Sequence, residues 1–302
     1  MLEILMTSDT HVPSIILNDS TTLPAIGFGT YKLNGADGVK AMVQAIESGY
    51  RLLDSAVNYE NEGALGKAIR TSAVPREQLR IASKLPGRRY SFDDALVTIE
   101  ESLYRSQLDY FDLYLLHWPN PSKGQYVEAW SALVEARKRG WVKSIGVCNF
   151  LPEHLEKVIA DSGVTPAVNQ IELHPYFPQH EQLAWNAGHG IATQSWSPLG
   201  RANHLLKDPA IQRIAARLGK TLAQVILRWH HQLGAIALPK ASSAERQQEN
   251  LDILTSSSQS RTCKASHAWL ARPAVRAIRI PPFTKNSDRI RAAQSCAIRG
   301  QR

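Results

Sequence analysis

Four side chains stand at spacings that suit proton transfer: Asp54, Tyr59, Lys84 and His117. Asp54, Lys84 and His117 each follow a short apolar run of strand character, and Tyr59 lies five residues beyond Asp54. A free phenol has a pKa of ~10, too high to release a proton efficiently near neutrality. A neighbouring ammonium stabilises the phenolate and lowers that value. Lys84 can supply the ammonium, Asp54 can keep it charged and oriented, and His117 can hydrogen-bond a substrate carbonyl. Tyr59 then serves as a general acid aimed at a carbonyl oxygen. Such a site suits carbonyl reduction, with hydride arriving from a nicotinamide. Each residue also has a plainer reading: Asp54 as a strand-end cap, Tyr59 as a packing ring, Lys84 as a solvated lysine, His117 as a core histidine. Their joint placement favours chemistry.

The elements that must position them alternate in type. Strand-length apolar runs are Ala25–Phe28, Arg51–Leu53, Leu79–Ala82, Phe111–Leu116, Lys143–Val147, Ala167–Ile171, Ile191–Gln194 and Ala235–Leu238. Amphipathic stretches of helical spacing separate them, among them Asp37–Ser48, Phe92–Ser106, Tyr126–Arg139 and Pro152–Ala160. Gly49, Gly140, Gly163, Gly188 and Gly234 mark helix stops. Eight such repeats predict an α/β fold, a (β/α)8 TIM barrel. A doubly wound sheet is disfavoured, because Gly27-Phe28-Gly29 lacks the third glycine and lies on a strand. Ser14–Leu17, Asn18-Asp19-Ser20 and Thr21–Leu23 read as an N-terminal β-hairpin capping one mouth. Barrel chemistry gathers at the C-terminal strand ends, so the loops after strands two, three and four bring the four residues together.

Composition excludes several classes. Of 35 Lys and Arg, ten lie beyond residue 254 with one acid, Asp288, leaving 25 basic against 26 acidic residues in the main body. The basicity therefore belongs to the tail and gives the main body no nucleic-acid character. No apolar run has the ~18 residues of a membrane span, and no secretory signal pattern opens the chain. Cys148, Cys263 and Cys296 form no CxxC and no disulfide framework, which fits a reducing, cytoplasmic setting. No GxSxG, HExxH or Walker A pattern occurs, and no metal is expected. Cys148 reads as a small buried residue rather than a nucleophile.

Longer phrases carry a resemblance. Gly27-Phe28-Gly29-Thr30-Tyr31, Leu53-Asp54-Ser55-Ala56-Val57-Asn58-Tyr59-Glu60-Asn61-Glu62 and Asp112-Leu113-Tyr114-Leu115-Leu116-His117-Trp118-Pro119 resemble the aldo-keto reductase family. So do Ile145-Gly146-Val147-Cys148-Asn149-Phe150 and Pro239-Lys240 with Arg246 and Glu249-Asn250. Ser195-Trp196-Ser197-Pro198-Leu199-Gly200 is similar to the bacterial 2,5-diketo-D-gluconate reductase-like branch. The resemblance spans about residues 12 to 254. It implies an NADP(H)-dependent reductase of small carbonyl substrates, usually monomeric, with Tyr59 donating the proton, Lys84 and Asp54 tuning it, and His117 orienting the carbonyl. It also implies that Asn149 and Gln170 hold the nicotinamide carboxamide, that Trp196 stacks on its ring, and that Thr30 and Asp54 lie at its ribose. Ser197 and Leu199 would add cofactor contacts. Lys240 and Arg246 would pair with the 2′-phosphate, and Glu249 and Asn250 would meet adenine. Ala241 stands where the family often has Ser or Thr, which passes one phosphate contact to Ser242 or Ser243. Tyr31, His117 and Trp118 would line the substrate pocket. Cys148 replaces a common Ser, and Ser20 a common turn Gly.

After Leu251-Asp252-Ile253 the family pattern stops. Residues 255–302 are basic, lack apolar periodicity and read as a poorly ordered tail. Reading the codons of Thr255–Leu270 one nucleotide earlier permits Asp-Phe-Glu-Leu-Thr-Glu-Gln-Asp-Met-Gln-Gly-Ile-Thr-Arg-Leu, the amphipathic helix that the resemblance leads one to expect. A frameshift near Leu254 is therefore the favoured account, and it would lower stability while leaving the tetrad intact. The leading functional reading is an NADPH-dependent reductase of small aldehydes, ketones or keto-sugars. The competing reading is a non-catalytic NADP(H)-binding redox-sensor barrel, and a nucleic-acid-binding tail stands third.

Overall fold

The computed structural model describes residues 4–5, 12–202 and 204–253. The expected tail over 255–302 and the frameshift near Leu254 lie outside the described residues. Eight parallel strands form one sheet in sequence order: β4 (Phe28–Gly29), β5 (Leu52–Asp54), β6 (Arg80–Leu85), β7 (Phe111–Leu116), β8 (Val142–Cys148), β9 (Val168–Glu172), β10 (Ala192–Trp196) and β11 (Ile236–Ala237). A parallel bridge between Ile26 and Ala237 joins last strand to first, with Gly27 N donating to Ala237 O at 2.9 Å. The strands run consecutively around a closed (β/α)8 barrel. At the seam, a Cβ on Gly29 would stand 2.9 Å from Leu238 O, so only glycine permits this approach.

Helices wrap the outside: α1 (Gly35–Glu47), α2 (Glu62–Thr71), α3 (Phe92–Ser106), α4 (Tyr126–Lys138), α5 (Pro152–Ser162), α6 (His180–Gly188), α7 (Pro209–Leu218), α8 (Leu222–Gln232) and α9 (Ala244–Leu251). Strands covered on both faces need apolar residues on both, and every residue of Phe111–Leu116 is buried. Leu113 and Leu115 join Leu52, Ala82, Val168, Ala192 and Ile236 in the inner cluster, while Tyr114 and Leu116 pack outward under the helices.

The expected hairpin forms from β2 (Ser14–Ile16) and β3 (Thr22–Pro24). Asp19 Oδ1 accepts from Thr21 N at 3.0 Å and Thr21 Oγ1 at 2.6 Å, and Ser20 holds the left-handed position at φ 69°. Ile15, Leu17 and Leu23 join the inner cluster, so the hairpin plugs the mouth at the N-terminal strand ends. Asn18 Nδ2 donates to Pro166 O and Ser144 Oγ to Asp19 Oδ2, which ties the turn to the barrel. A further strand, β1 (Ile4–Leu5), pairs with β2 and was not foreseen, since two residues carry no readable alternation. No helix among the described residues is long and apolar enough to cross a membrane. The hairpin leaves the opposite mouth, at the C-terminal strand ends, open for chemistry.

Candidate active site

Lys84 is 0% exposed. Its Nζ lies 2.6 Å from Asp54 Oδ2 and donates to Ser55 O at 2.6 Å. The same ammonium lies 5.0 Å from the centre of the Tyr59 ring. The plainer reading of a solvated lysine does not survive this placement. Sequence reading set Lys84 beyond its strand, whereas it belongs to β6, and Asp54 is the last residue of β5. Burial opposes the Lys84 charge, but Asp54 and Tyr59 outweigh it and leave the ammonium pKa above its ordinary value. A lysine this deep stays charged only because its carboxylate partner is in contact. The other carboxylate oxygen is also engaged: Gln170 Nε2 donates to Asp54 Oδ1 at 2.9 Å across the barrel.

Tyr59 ends a tight turn, Val57–Tyr59, between β5 and α2. Several polar groups fix that turn. Asn34 Nδ2 donates to Tyr59 O at 2.8 Å. Buried Asn61 donates to Thr30 O at 2.8 Å and Leu33 O at 3.2 Å, and accepts from Ser55 Oγ at 2.6 Å. Glu62 opens α2, buried, with Oε1 accepting from Ser83 Oγ at 2.6 Å. Its Oε2 accepts from Arg105 Nε at 2.9 Å and Nη2 at 2.7 Å, a forked ion pair. Glu62 thus ties the helix after Tyr59 to the strand residue beside Lys84. Glu62→Ala strands Ser83 and Arg105 together. We expect a loss of about 2 kcal/mol in denaturant unfolding, below the ~3–5 of a fully enclosed pair because Arg105 keeps part of its hydration.

His117 follows β7, and its ring centre lies 5.9 Å from that of Tyr59, edge to face at 77°. Burial, aided by the Lys84 charge, lowers its pKa to about 3. The imidazole is therefore neutral at physiological pH. Its Nδ1 is buried without a hydrogen-bond partner. Tyr59 moves the other way: burial raises its pKa, Lys84 pulls it back down, and Asp54 adds to the rise. Tyr31, 54% exposed, packs its ring 5.1 Å from Tyr59. Trp118 stands 6.5 Å from Trp196, ring to ring. Two aromatic walls and a polar floor give a half-apolar mouth.

The expected cofactor residues fall in two groups. Beside the tetrad, Trp196 Nε1 donates to Asn149 Oδ1 at 2.8 Å, and Asn149 Nδ2 to His117 O at 3.2 Å. Gln170 Nε2 also donates to Gln194 Oε1 at 2.9 Å, and Thr30 Oγ1 to Asp54 O at 2.9 Å. Ser197 and Leu199 are half-buried in the turn after β10. Beyond β11, Lys240, Ser242 and Arg246 are exposed around the start of α9. Two cations and a hydroxyl at a helix N-terminus suit a phosphate dianion. Glu249 accepts a hydrogen bond from Thr221 Oγ1, and Asn250 is buried against Tyr50. Cys148 is buried at the barrel wall, and burial raises its thiol pKa well above the ordinary value, so it is a poor nucleophile. Among the described residues, no group of three or more His, Cys, Asp or Glu is placed to hold a metal ion.

Residues 25–266 match the Aldo/keto reductase family. This chain belongs to the aldo/keto reductase family. It is 51% identical over 243 residues to 2,5-diketo-D-gluconic acid reductase B of Corynebacterium sp. (strain SHS752001), covering 80% of this chain and 88% of the relative. It is 43% identical over 244 residues to methylglyoxal reductase DkgA of Escherichia coli (strain K12), covering 80% and 88%. Among solved structures, a Gox0644 variant in complex with NADPH superposes with a TM-score of 0.77 at 38% identity, covering 86% of this chain and 93% of the other.

Within this aldo/keto reductase, three supporting residues escaped sequence reading. Asn61 sat inside a recognised phrase without a role, yet it closes the Tyr59 turn onto two strand ends. Tyr90 Oη donates to Trp118 O at 2.6 Å and accepts from Trp118 N at 3.3 Å, fixing one wall. Gln194 completes the polar floor. The signal for Gln194 was present: a polar residue ending the apolar run Ile191–Gln194, where a barrel interior demands a partner.

Proposed function

We propose that this aldo/keto reductase uses NADPH to reduce the carbonyl of small aldehydes, ketones and keto-sugars to an alcohol, with Tyr59 as the proton donor. The observation that carries the proposal is the buried Lys84, held at 2.6 Å by Asp54 and set over the Tyr59 ring. The cofactor, when bound, supplies a hydride to the carbonyl carbon. Tyr59 gives its phenolic proton to the carbonyl oxygen, and the alcohol leaves. Lys84 stabilises the phenolate that remains, at short range and without water.

His117 is a poor alternative acid. With a pKa near 3 it carries no surplus proton at neutral pH. As a neutral ring its proton resides on one nitrogen. The buried, unpartnered Nδ1 is the cheaper place for a lone pair, which leaves Nε2–H to hold and polarise the carbonyl. Asn149, Gln170 and Trp196 would hold the nicotinamide, and Thr30 and Asp54 would meet the ribose. Lys240, Ser242 and Arg246 would hold the 2′-phosphate, and Glu249 and Asn250 would meet adenine. Tyr31 and Trp118 line the substrate side. In this reading the working unit is a monomer.

The test is NADPH consumption at 340 nm with a small aldehyde, run beside NADH. We expect turnover with a strong preference for NADPH, and Arg246→Ala should narrow that preference about tenfold by removing one charge-assisted contact. NADPH binding without turnover would favour a sensor over an enzyme.

A further inference from the structure

Helix α8 carries a histidine that the catalytic scheme does not use. His230 is 0% exposed, and both ring nitrogens are engaged. Its Nε2 lies 3.2 Å from Pro198 O, and its Nδ1 lies 3.1 Å from Ser195 Oγ. A carbonyl oxygen only accepts, so Nε2 must donate, and the neutral ring then accepts the Ser195 hydroxyl proton at Nδ1. Burial keeps this ring neutral. One side chain therefore grips the backbone and side chain on either flank of Trp196.

The gripped segment is strained and connected to the site. Ser197 sits at φ 49°, and Arg201 at φ 56°, both left-handed positions that non-glycine residues resist. Gly200 N donates to Ser197 O at 2.9 Å, closing a tight turn. Trp196 precedes this turn and reaches Asn149, which in turn reaches the His117 carbonyl. A capping box fixes the start of α8: Thr221 N donates to Gln224 Oε1 at 3.0 Å and Gln224 N to Thr221 Oγ1 at 3.2 Å. The histidine is thus mounted on a well-anchored helix.

We propose that His230 is a positioning residue that holds the Trp196–Leu199 turn in its cofactor-receiving shape. The inference rests on the reading of this mouth as an NADPH site. The turn gains a fixed geometry from the two hydrogen bonds, at the expense of local strain at Ser197. Losing them releases Trp196 and Ser197 toward more relaxed conformations, so cofactor affinity falls while the Asp54, Lys84 and Tyr59 set stays in place.

The experiment is an NADPH fluorescence titration of wild type, His230→Phe and His230→Gln, with KM for NADPH and kcat measured alongside. His230→Phe keeps ring volume and removes both hydrogen bonds. It is expected to raise the NADPH Kd and KM about tenfold, with kcat at saturating NADPH changed less than about twofold. His230→Gln restores a donor at the ε position and should recover most of the affinity. If His230→Phe binds NADPH as tightly as wild type, or if His230→Gln binds as weakly as His230→Phe, the positioning role is wrong. Should His230→Phe fail to fold, Ser195→Ala decides: a Kd raised about threefold supports the role, and an unchanged Kd overturns it. Wild type that fails to bind NADPH would instead overturn the proposed function.

Discussion

Lys84→Met is expected to lower kcat/KM for aldehyde reduction by about a thousandfold, within the range that positioned proton transfer supplies, while NADPH still binds. Methionine matches the length and fills the volume, so packing is largely kept. What disappears is the ammonium that offsets the burial of Tyr59. Reduction needs Tyr59 protonated at the start and tolerates the phenolate at the end. Activity therefore falls as pH rises through the Tyr59 pKa. Because Lys84 lowers that pKa, its removal moves the alkaline limb to higher pH while depressing the plateau. A lysine that served only as packing would leave the limb where it was. The pH–rate profile of the variant thus separates the two roles. Stability carries its own sign. The folded Lys84 pKa lies above its unfolded value of ~10.4, so the stability that Lys84 protonation contributes is present below that value and is lost as pH rises through the folded pKa, in strong alkali.

Much of the scaffold was legible because its residues obey one period at a time. Phe92–Ser106 and Phe111–Leu116 match their expected bounds to the residue, the first by a clean amphipathic stripe, the second by an unbroken buried run. The apolar pattern stops short of the strand end wherever a barrel strand turns polar while still buried. β6 runs on through Ser83 and Lys84 to Leu85, and β10 through Ser195 to Trp196. Those polar residues are affordable only because each finds a distant partner: Ser83 finds Glu62, Lys84 finds Asp54, and Ser195 finds His230. A linear reading sees the polarity and not the partner. β1 is hidden for a different reason, since two apolar residues carry no readable alternation, and one helix stop is displaced. Gly188 closes α6, but the left-handed glycine is Gly190, at φ 68°.

The tetrad was readable for the opposite reason: its members are rare types at successive strand ends, where barrel geometry forces convergence. What the sequence left open was their electrostatic state. Residue type and spacing assign the acid to Tyr59 and the carbonyl contact to His117, without the charge state of either. The fold separates them, since burial and Lys84 hold His117 neutral, whereas Lys84 works in favour of ionising Tyr59. Two titratable groups whose environments drive them apart take different roles.

Tyr59→Phe is accordingly expected to have the largest effect of any single change. Phenylalanine keeps the ring that packs between Tyr31 and His117, so the mouth keeps its shape and the Asp54–Lys84 pair its geometry. Only the proton is gone. The residual route draws a proton from water, at a cost of about ten-thousandfold, the upper end of what a positioned acid provides. The deciding measurement is NADPH oxidation at 340 nm with a small aldehyde in wild type and Tyr59→Phe, with NADPH affinity titrated in both. Turnover in wild type, a loss of about four orders of magnitude in Tyr59→Phe, and equal NADPH affinity are the predicted result. A Tyr59→Phe protein that still reduces the aldehyde within about tenfold of wild type would contradict the account, because the proton would then come from another group.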